Sequence, residues 1–140
     1  MNREKEGGFS IIELLVVCAI VGLIATLAIP FLQKAVRATE NSNTFATMRT
    51  IHSSQLGFYQ SNNRWGRLTE INNLMSGSLG TPSGFEVIRG KFTLSMEPAN
   101  PSDALLRNRY RIFAIRNVTG EGQIYQYVME QDGEIRQLQP

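Results

Sequence analysis

Residues Gly7 to Pro30 read GGFSIIELLVVCAIVGLIATLAIP, a Gly-Gly pair leading into an apolar run that holds one acid, Glu13. No charged residue stands from Leu14 to Leu32. At about 1.5 Å of rise per residue that stretch makes roughly 28 Å of helix, enough to span or nearly span a bilayer. An ionised side chain in a membrane helix costs at least about 2.5 to 3.5 kcal/mol on insertion scales, so it is rarely kept without a partner or a task. Glu13 therefore calls for a cation.

A cleaved secretory signal fits poorly. The apolar run is longer than the usual core of about 7 to 15 residues, a carboxylate sits near its start, and no A-x-A site follows. The Gly-Gly pair marks a different processing point, between Gly8 and Phe9, where small residues let a protease reach the backbone. Cutting there creates an α-amino group at Phe9, four residues from Glu13, with an ordinary pKa of about 7.7 to 8.0. Within one chain, Glu13 lies in the first turns of the helix, where the macrodipole favours an anion. Between chains, it can pair with the Phe9 amine of a neighbour.

Gly8, Phe9, Glu13, Gly22 and Pro30 stand where the prepilin signature has its cleavage-site glycine, methylated first residue, glutamate, helix glycine and helix-kinking proline. The chain resembles a type IV prepilin or a type II secretion prepseudopilin over about its first quarter. The resemblance implies cleavage after Gly8 by a prepilin peptidase, N-methylation of Phe9 and helical assembly of mature subunits into a filament. It also implies an inner-membrane assembly platform as a partner. In the leader, Arg3 and Lys5 are offset by Glu4 and Glu6, but acids contribute little to topology and the basic pair favours a cytoplasmic N-terminus. Lys34 and Arg37 on the far side weaken the charge bias, so the N-in orientation leans on the resemblance.

The remaining chain supports one small domain. A net charge of +2 from 14 basic and 12 acidic residues gives no reason to posit a strong nucleic-acid binder. The single cysteine, Cys18, lies in the apolar run, so no disulfide can form within the chain. Many related pilins close a C-terminal loop with two cysteines; packing or filament contacts must replace that loop here.

Beyond Pro30, residues Ala35, Val36, Phe45, Met48, Ile51, Gln55 and Tyr59 keep helical spacing. The polar patch Thr39 to Asn43 is a weak point, because its side chains compete for backbone hydrogen bonds. Gly57 and Ser61-Asn62-Asn63 read as the helix end, and Thr69 to Met75 as one short helical turn. Phe85 to Met96, broken at Gly90, offers two short strands. Tyr110 to Val118 and Gln123 to Glu130 form a hairpin through Thr119-Gly120-Glu121-Gly122, and Gln131-Asp132-Gly133 leads to a third strand, Glu134 to Leu138. In the middle strand Tyr125, Tyr127 and Met129 share one face and Ile124 and Val128 the other, which leaves its inward face open. Glu97 to Asn108, with Pro98 and Pro101, reads as a loop.

Chemistry-bearing residues are sparse. His52 sits mid-helix without an evident orienting partner, and no phosphate-binding glycine loop occurs, so an enzyme is not indicated. Some pseudopilins bind calcium, and Asp103, Asp132 and Glu134 could supply oxygens, but their spacing matches no calcium loop. Neither a metal nor another cofactor is expected. Arg107, Arg109, Arg111 and Arg116, with Arg89 and Lys91, could suit phosphate. Strand alternation would put the first three on one face, and pairing with Glu121, Glu130, Asp132 and Glu134 across strands is the simpler account. Asn117-Val118-Thr119 matches a glycosylation sequon that carries little meaning in a bacterial protein.

The expectation is an α+β, pilin-like fold: a long N-terminal helix packed on a small antiparallel sheet of three to four strands. Residues 1–8 form a cleaved cytoplasmic leader, 9–32 a transmembrane and assembly helix, 33–60 its amphipathic continuation, and 61–140 a globular head ending in the meander. The expected function is a structural subunit of a pilus-like filament, alone or mixed with other pilins. Its precursor would lie in the bacterial inner membrane among lipid, and its mature form in a surface pilus or a periplasmic pseudopilus. Alternatives are a pseudopilin acting in protein export and a non-polymerising anchored binding module.

Overall fold

The computed structural model describes residues 8–118, 120, 122 and 124–139. The expected leader before Gly8, Thr119 of the sequon, and Thr119, Glu121 and Gln123 around the hairpin turn lie outside the described residues.

Helix α1 runs Ile11–Asn62, without a break at Pro30 or at the polar patch Thr39 to Asn43. Hydroxyls at the start of the patch and just after it bond backwards along the helix instead of competing with it. Thr39 Oγ1 donates to the Ala35 carbonyl and Thr44 Oγ1 to the Glu40 carbonyl, each at 3.0 Å. The helix stops where Asn63 takes a left-handed φ of 54° while its N–H bonds Tyr59 O at 2.8 Å. Asparagine is among the few side chains that tolerate that conformation.

The chain divides into two compact units, one reaching Thr39 and the other starting at Glu40. In the first, the apolar side chains from Phe9 to Leu32 lie open, and among the described residues α1 is the one helix long and apolar enough to cross a membrane.

The second unit carries six strands: β1 (Thr81–Ser83), β2 (Glu86–Arg89), β3 (Phe92–Met96), β4 (Arg111–Asn117), β5 (Ile124–Glu130) and β6 (Ile135–Gln139). They lie across the sheet in chain order, each antiparallel to the next. The α+β architecture holds, but six strands replace the expected three to four. Both short runs around Gly90 pair, with Gly90 at φ 60° in the turn, and β1 adds an edge. β1 escapes a sequence reading because it is three residues long, contains Pro82 and is exposed throughout, so it shows no alternation.

Helix α2 (Leu68–Leu74) matches the short turn expected near Thr69. Helix α3 (Asp103–Leu106) replaces part of the expected loop after Glu97, because Ser102 caps it by accepting from Leu105 N–H.

The core is one cluster. Met48 and Ile51 of α1 and Leu68 and Ile71 of α2 meet Val87, Leu94, Ile112 and Met129 of the sheet, all nearly or fully buried. Burying each such side chain contributes about 1.5 to 3 kcal/mol relative to leaving it in water. Alternation puts Tyr127 and Met129 of β5 inward. Val128, on the opposite face, is also mostly covered, flanked in register by Phe113 and Arg136. Both faces of β5 are apolar, which is why the sequence leaves its orientation open. Gln55 is fully buried and satisfied: Nε2 donates to Gly66 O at 2.8 Å and Oε1 accepts from Gly66 N–H at 2.7 Å.

Candidate assembly site

Gly8, Phe9 and Ser10 precede α1, and Glu13 falls in its first turn. Ser10 N–H donates to Glu13 Oε2 at 2.9 Å, the reach-back of an N3 glutamate to the residue that opens a helix. One carboxylate oxygen thereby caps the helix start. Glu13 Oε1 has no partner among the described residues, and the residue is exposed. Phe9, Ile12, Glu13, Val16 and Val17 border a shallow depression of about 290 Å³, an apolar wall with one carboxylate at its rim. Such a wall can seat an apolar neighbour while the acid accepts its amine.

Around this point the surface is apolar for turn after turn. Phe9 is 80% exposed, Leu23 66% and Phe31 73%. A contiguous apolar surface of that kind marks a lipid-facing or helix-facing element. At Gly22 a Cβ would meet nothing within 4 Å, so nothing within one chain requires glycine there. A small residue on an exposed helix face leaves room for another helix to approach closely. Pro30 stands inside α1 with no N–H to give.

The family profile described as the prokaryotic N-terminal methylation motif matches residues 3–29. A fimbrial protein of Moraxella nonliquefaciens is 30% identical over 123 residues, covering 86% of this chain and 71% of the relative. The chain belongs to the type IV pilin family. No solved structure matches this pilin.

The other residues singled out in the pilin sequence do not converge on a reactive centre. His52 Nδ1 and the Tyr110 hydroxyl are hydrogen-bonded at 2.8 Å, so the histidine has a partner that sequence spacing did not reveal. Burial, and then the charge of Asp132, push the Tyr110 phenol up, which keeps it protonated. Asp132 and Glu134 each bond Arg136 at 2.7 Å, and Asp103 bonds Arg67 at 2.6 Å. Among the described residues no group of three or more His, Cys, Asp or Glu gathers as a ligand set. Cys18 is a free, exposed thiol.

The arginines are mostly paired within the pilin. Arg111 bonds Glu130 at 2.8 Å across the β4–β5 ladder and reaches Glu97 at 3.4 Å. The expected shared strand face of Arg107, Arg109 and Arg111 is not formed. Arg107 N–H and Arg109 N–H instead close off α3 on the Asp103 and Leu105 carbonyls, and β4 begins only at Arg111. Arg116, grouped in the sequence with the arginines suited to phosphate, is the residue whose burial and acidic partner sequence reasoning missed. It follows Ile112 and Ala114 on the inward face of β4, is fully buried, and binds Glu40 of α1. Period-two alternation counted back from Ile112 would have found it.

Proposed function

We propose that this pilin is the structural subunit of a type IV pilus-like filament, made as a membrane-anchored precursor. Its N-terminus is cytoplasmic. A prepilin peptidase cuts after Gly8, Phe9 is N-methylated, and an inner-membrane platform feeds the mature helix from lipid into the filament core. The single observation that carries this reading is Glu13, one carboxylate with a free oxygen on a stretch of helix that is exposed and carries no other charge as far as Leu32. In the filament that oxygen neutralises the Phe9 amine of a neighbouring subunit, while the apolar side chains around it exchange lipid for each other. Likeness to a fimbrial protein along most of both chains supports a surface filament over a periplasmic pseudopilus.

Removing one partner of a buried ion pair typically costs about 3 to 5 kcal/mol. Glu13→Ala is therefore expected to abolish or sharply reduce sheared filaments while the processed band persists on immunoblots. Filaments at normal yield from that variant would rule the pairing out. Gly8→Val is expected to leave only the precursor, and mass spectrometry of the wild-type N-terminus should show methylated phenylalanine.

A further inference from the structure

Within the second unit, three aromatic rings stand in a line that ends on the histidine. Tyr59 and Trp65 are half-buried, with ring centroids 4.5 Å apart, and Trp65 meets the buried Tyr110 edge-on at 5.0 Å. At the far end His52 Nδ1 lies 2.8 Å from the Tyr110 hydroxyl. The direction of that bond follows from burial. Tyr110 is 3% exposed and its hydroxyl has no other partner among the described residues, so a phenol that merely accepted from the imidazole would strand its own proton. The phenol therefore donates, Nδ1 accepts, and the proton of the neutral ring stands on Nε2. The imidazole is held from its other side too. Gly133 brings the β5–β6 turn so near that an added Cβ would lie 2.7 Å from Nε2. The hydroxyls of Tyr59 and Tyr127, by contrast, have no hydrogen-bond partner among the described residues.

We propose that Tyr110 and His52 form a proton-coupled one-electron redox site that is reached through Trp65. A phenol that loses an electron becomes a very strong acid, so its oxidation is easy only where a base already holds the proton through a hydrogen bond. At 2.8 Å, Nδ1 lies within the reach of a positioned base. The step balances within the cluster. A one-electron oxidant of the radical class takes an electron from the half-buried Trp65 indole. Tyr110 returns that electron to the indole and passes its O–H proton to His52 Nδ1, which leaves a neutral phenoxyl radical beside an imidazolium. A one-electron reductant of the enediol class reverses the change: the phenoxyl oxygen takes the electron, and Nδ1 gives the proton back. Burial holds the Tyr110 phenol in its protonated form, so ionisation ahead of oxidation offers no other route. Of the two tyrosines in ring contact with Trp65, Tyr110 is the one with a base attached. An oxidising hit on the aromatic surface is thereby collected on one recoverable side chain.

Pulse radiolysis of the full chain in detergent micelles tests this, with the azide radical as oxidant, because that radical oxidises indole readily and Trp65 is the one tryptophan in the sequence. The indolyl absorption should decay as the phenoxyl absorption grows, at a first-order rate independent of protein concentration. Tyr110→Phe, which keeps the ring and removes the hydroxyl, should slow that decay about tenfold or more, and Tyr59→Phe should change it by less than about twofold. His52→Gln keeps a hydrogen-bond acceptor but removes the base; it should also slow the decay about tenfold or more, a conservative figure for a positioned base. The parent should slow in heavy water, and that measurement stands whatever a substitution does to the fold. An unchanged rate in Tyr110→Phe, or loss of the fast phase in Tyr59→Phe instead, would overturn the path through Trp65 to Tyr110. An unchanged rate in His52→Gln, or in heavy water, would overturn the coupling to the histidine.

Discussion

Arg116 reaches Glu40 through two nitrogens, Nη2 at 3.0 Å and Nε at 3.2 Å, from a position with no solvent exposure at all. The pair fastens β4 to α1 where the second unit begins. Its neighbours in register are Phe92 and Tyr125, and the guanidinium lies 5.8 Å from the Tyr125 ring centroid. Taking a carboxylate away from an arginine so placed leaves a buried charge less well compensated. Glu40→Ala and Arg116→Ala should each lower the unfolding free energy by about 3 kcal/mol or more. Replacing both by apolar residues, Glu40→Leu with Arg116→Met, should recover most of that loss. Urea unfolding of the detergent-solubilised chain, followed by emission from its one tryptophan, Trp65, checks this; strictly additive losses would show the pair is not coupled.

Gln55 substitutes for a missing piece of backbone ladder, since its amide meets both the N–H and the C=O of Gly66. Gln55→Leu keeps the volume but strands two buried backbone groups, at about 1 to 3 kcal/mol each. The expected loss is about 2 to 4 kcal/mol, and Gln55→Glu should be nearly as damaging at neutral pH because it offers no donor to Gly66 O. Equilibrium unfolding of the two variants against the parent measures it.

Glu70 is the acid-sensitive group. Arg64 holds it by a two-pronged pair at 2.6 and 2.8 Å, and Arg67 N–H adds a bond at 2.7 Å. The hydrogen bonds from Arg64 lead in lowering its pKa from 4.5 to about 2, against a smaller opposing effect of burial. A depressed carboxylate stabilises the fold at pH values above its unfolded pKa, and that stability is lost as pH falls from about 4.5 toward 2. With 31% of the side chain exposed, solvent screening holds the contribution to about 1 to 2 kcal/mol. Stability measured from pH 6 down to pH 2 should fall less steeply for Glu70→Gln than for the parent.

Gly133 sits at φ 74° against the His52 ring, where an added Cβ would lie 2.7 Å from Nε2. Gly133→Ala therefore combines backbone strain with a clash and should cost about 1 to 3 kcal/mol. Because His52 also bonds Tyr110, the imidazole resonances should shift in the same variant; unchanged shifts and stability would show that the turn simply moves away.

The family was legible in the N-terminal stretch because the signals there are one-dimensional. A charge, a glycine pair and an apolar run keep their meaning in any surroundings, and Phe9 and Glu13 are near neighbours along the chain. The end of α1 at Asn62 and the three C-terminal strands were legible for a similar reason, through local turn and capping chemistry. Arg116 was not, since a basic residue in a strand ordinarily faces water and its acid lies 76 residues away. Gln55 could be placed on the packed stripe of the helix, but not matched to Gly66, which depends on how the chain returns after the helix ends. β1 hid behind its proline, and α3 behind two prolines that made its surroundings read as loop.

The chain-order sheet has a consequence for how the second unit comes to be. Every strand pairs with the one before it, so each pairing closes a short segment, apart from the longer excursion between β3 and β4 that carries α3. Loop-closure entropy grows with the length of chain enclosed, and predominantly local pairing favours fast folding. With no second cysteine in the chain, folding also waits on no thiol oxidation. The head can therefore form by successive hairpin closures, at a rate independent of the redox state around it.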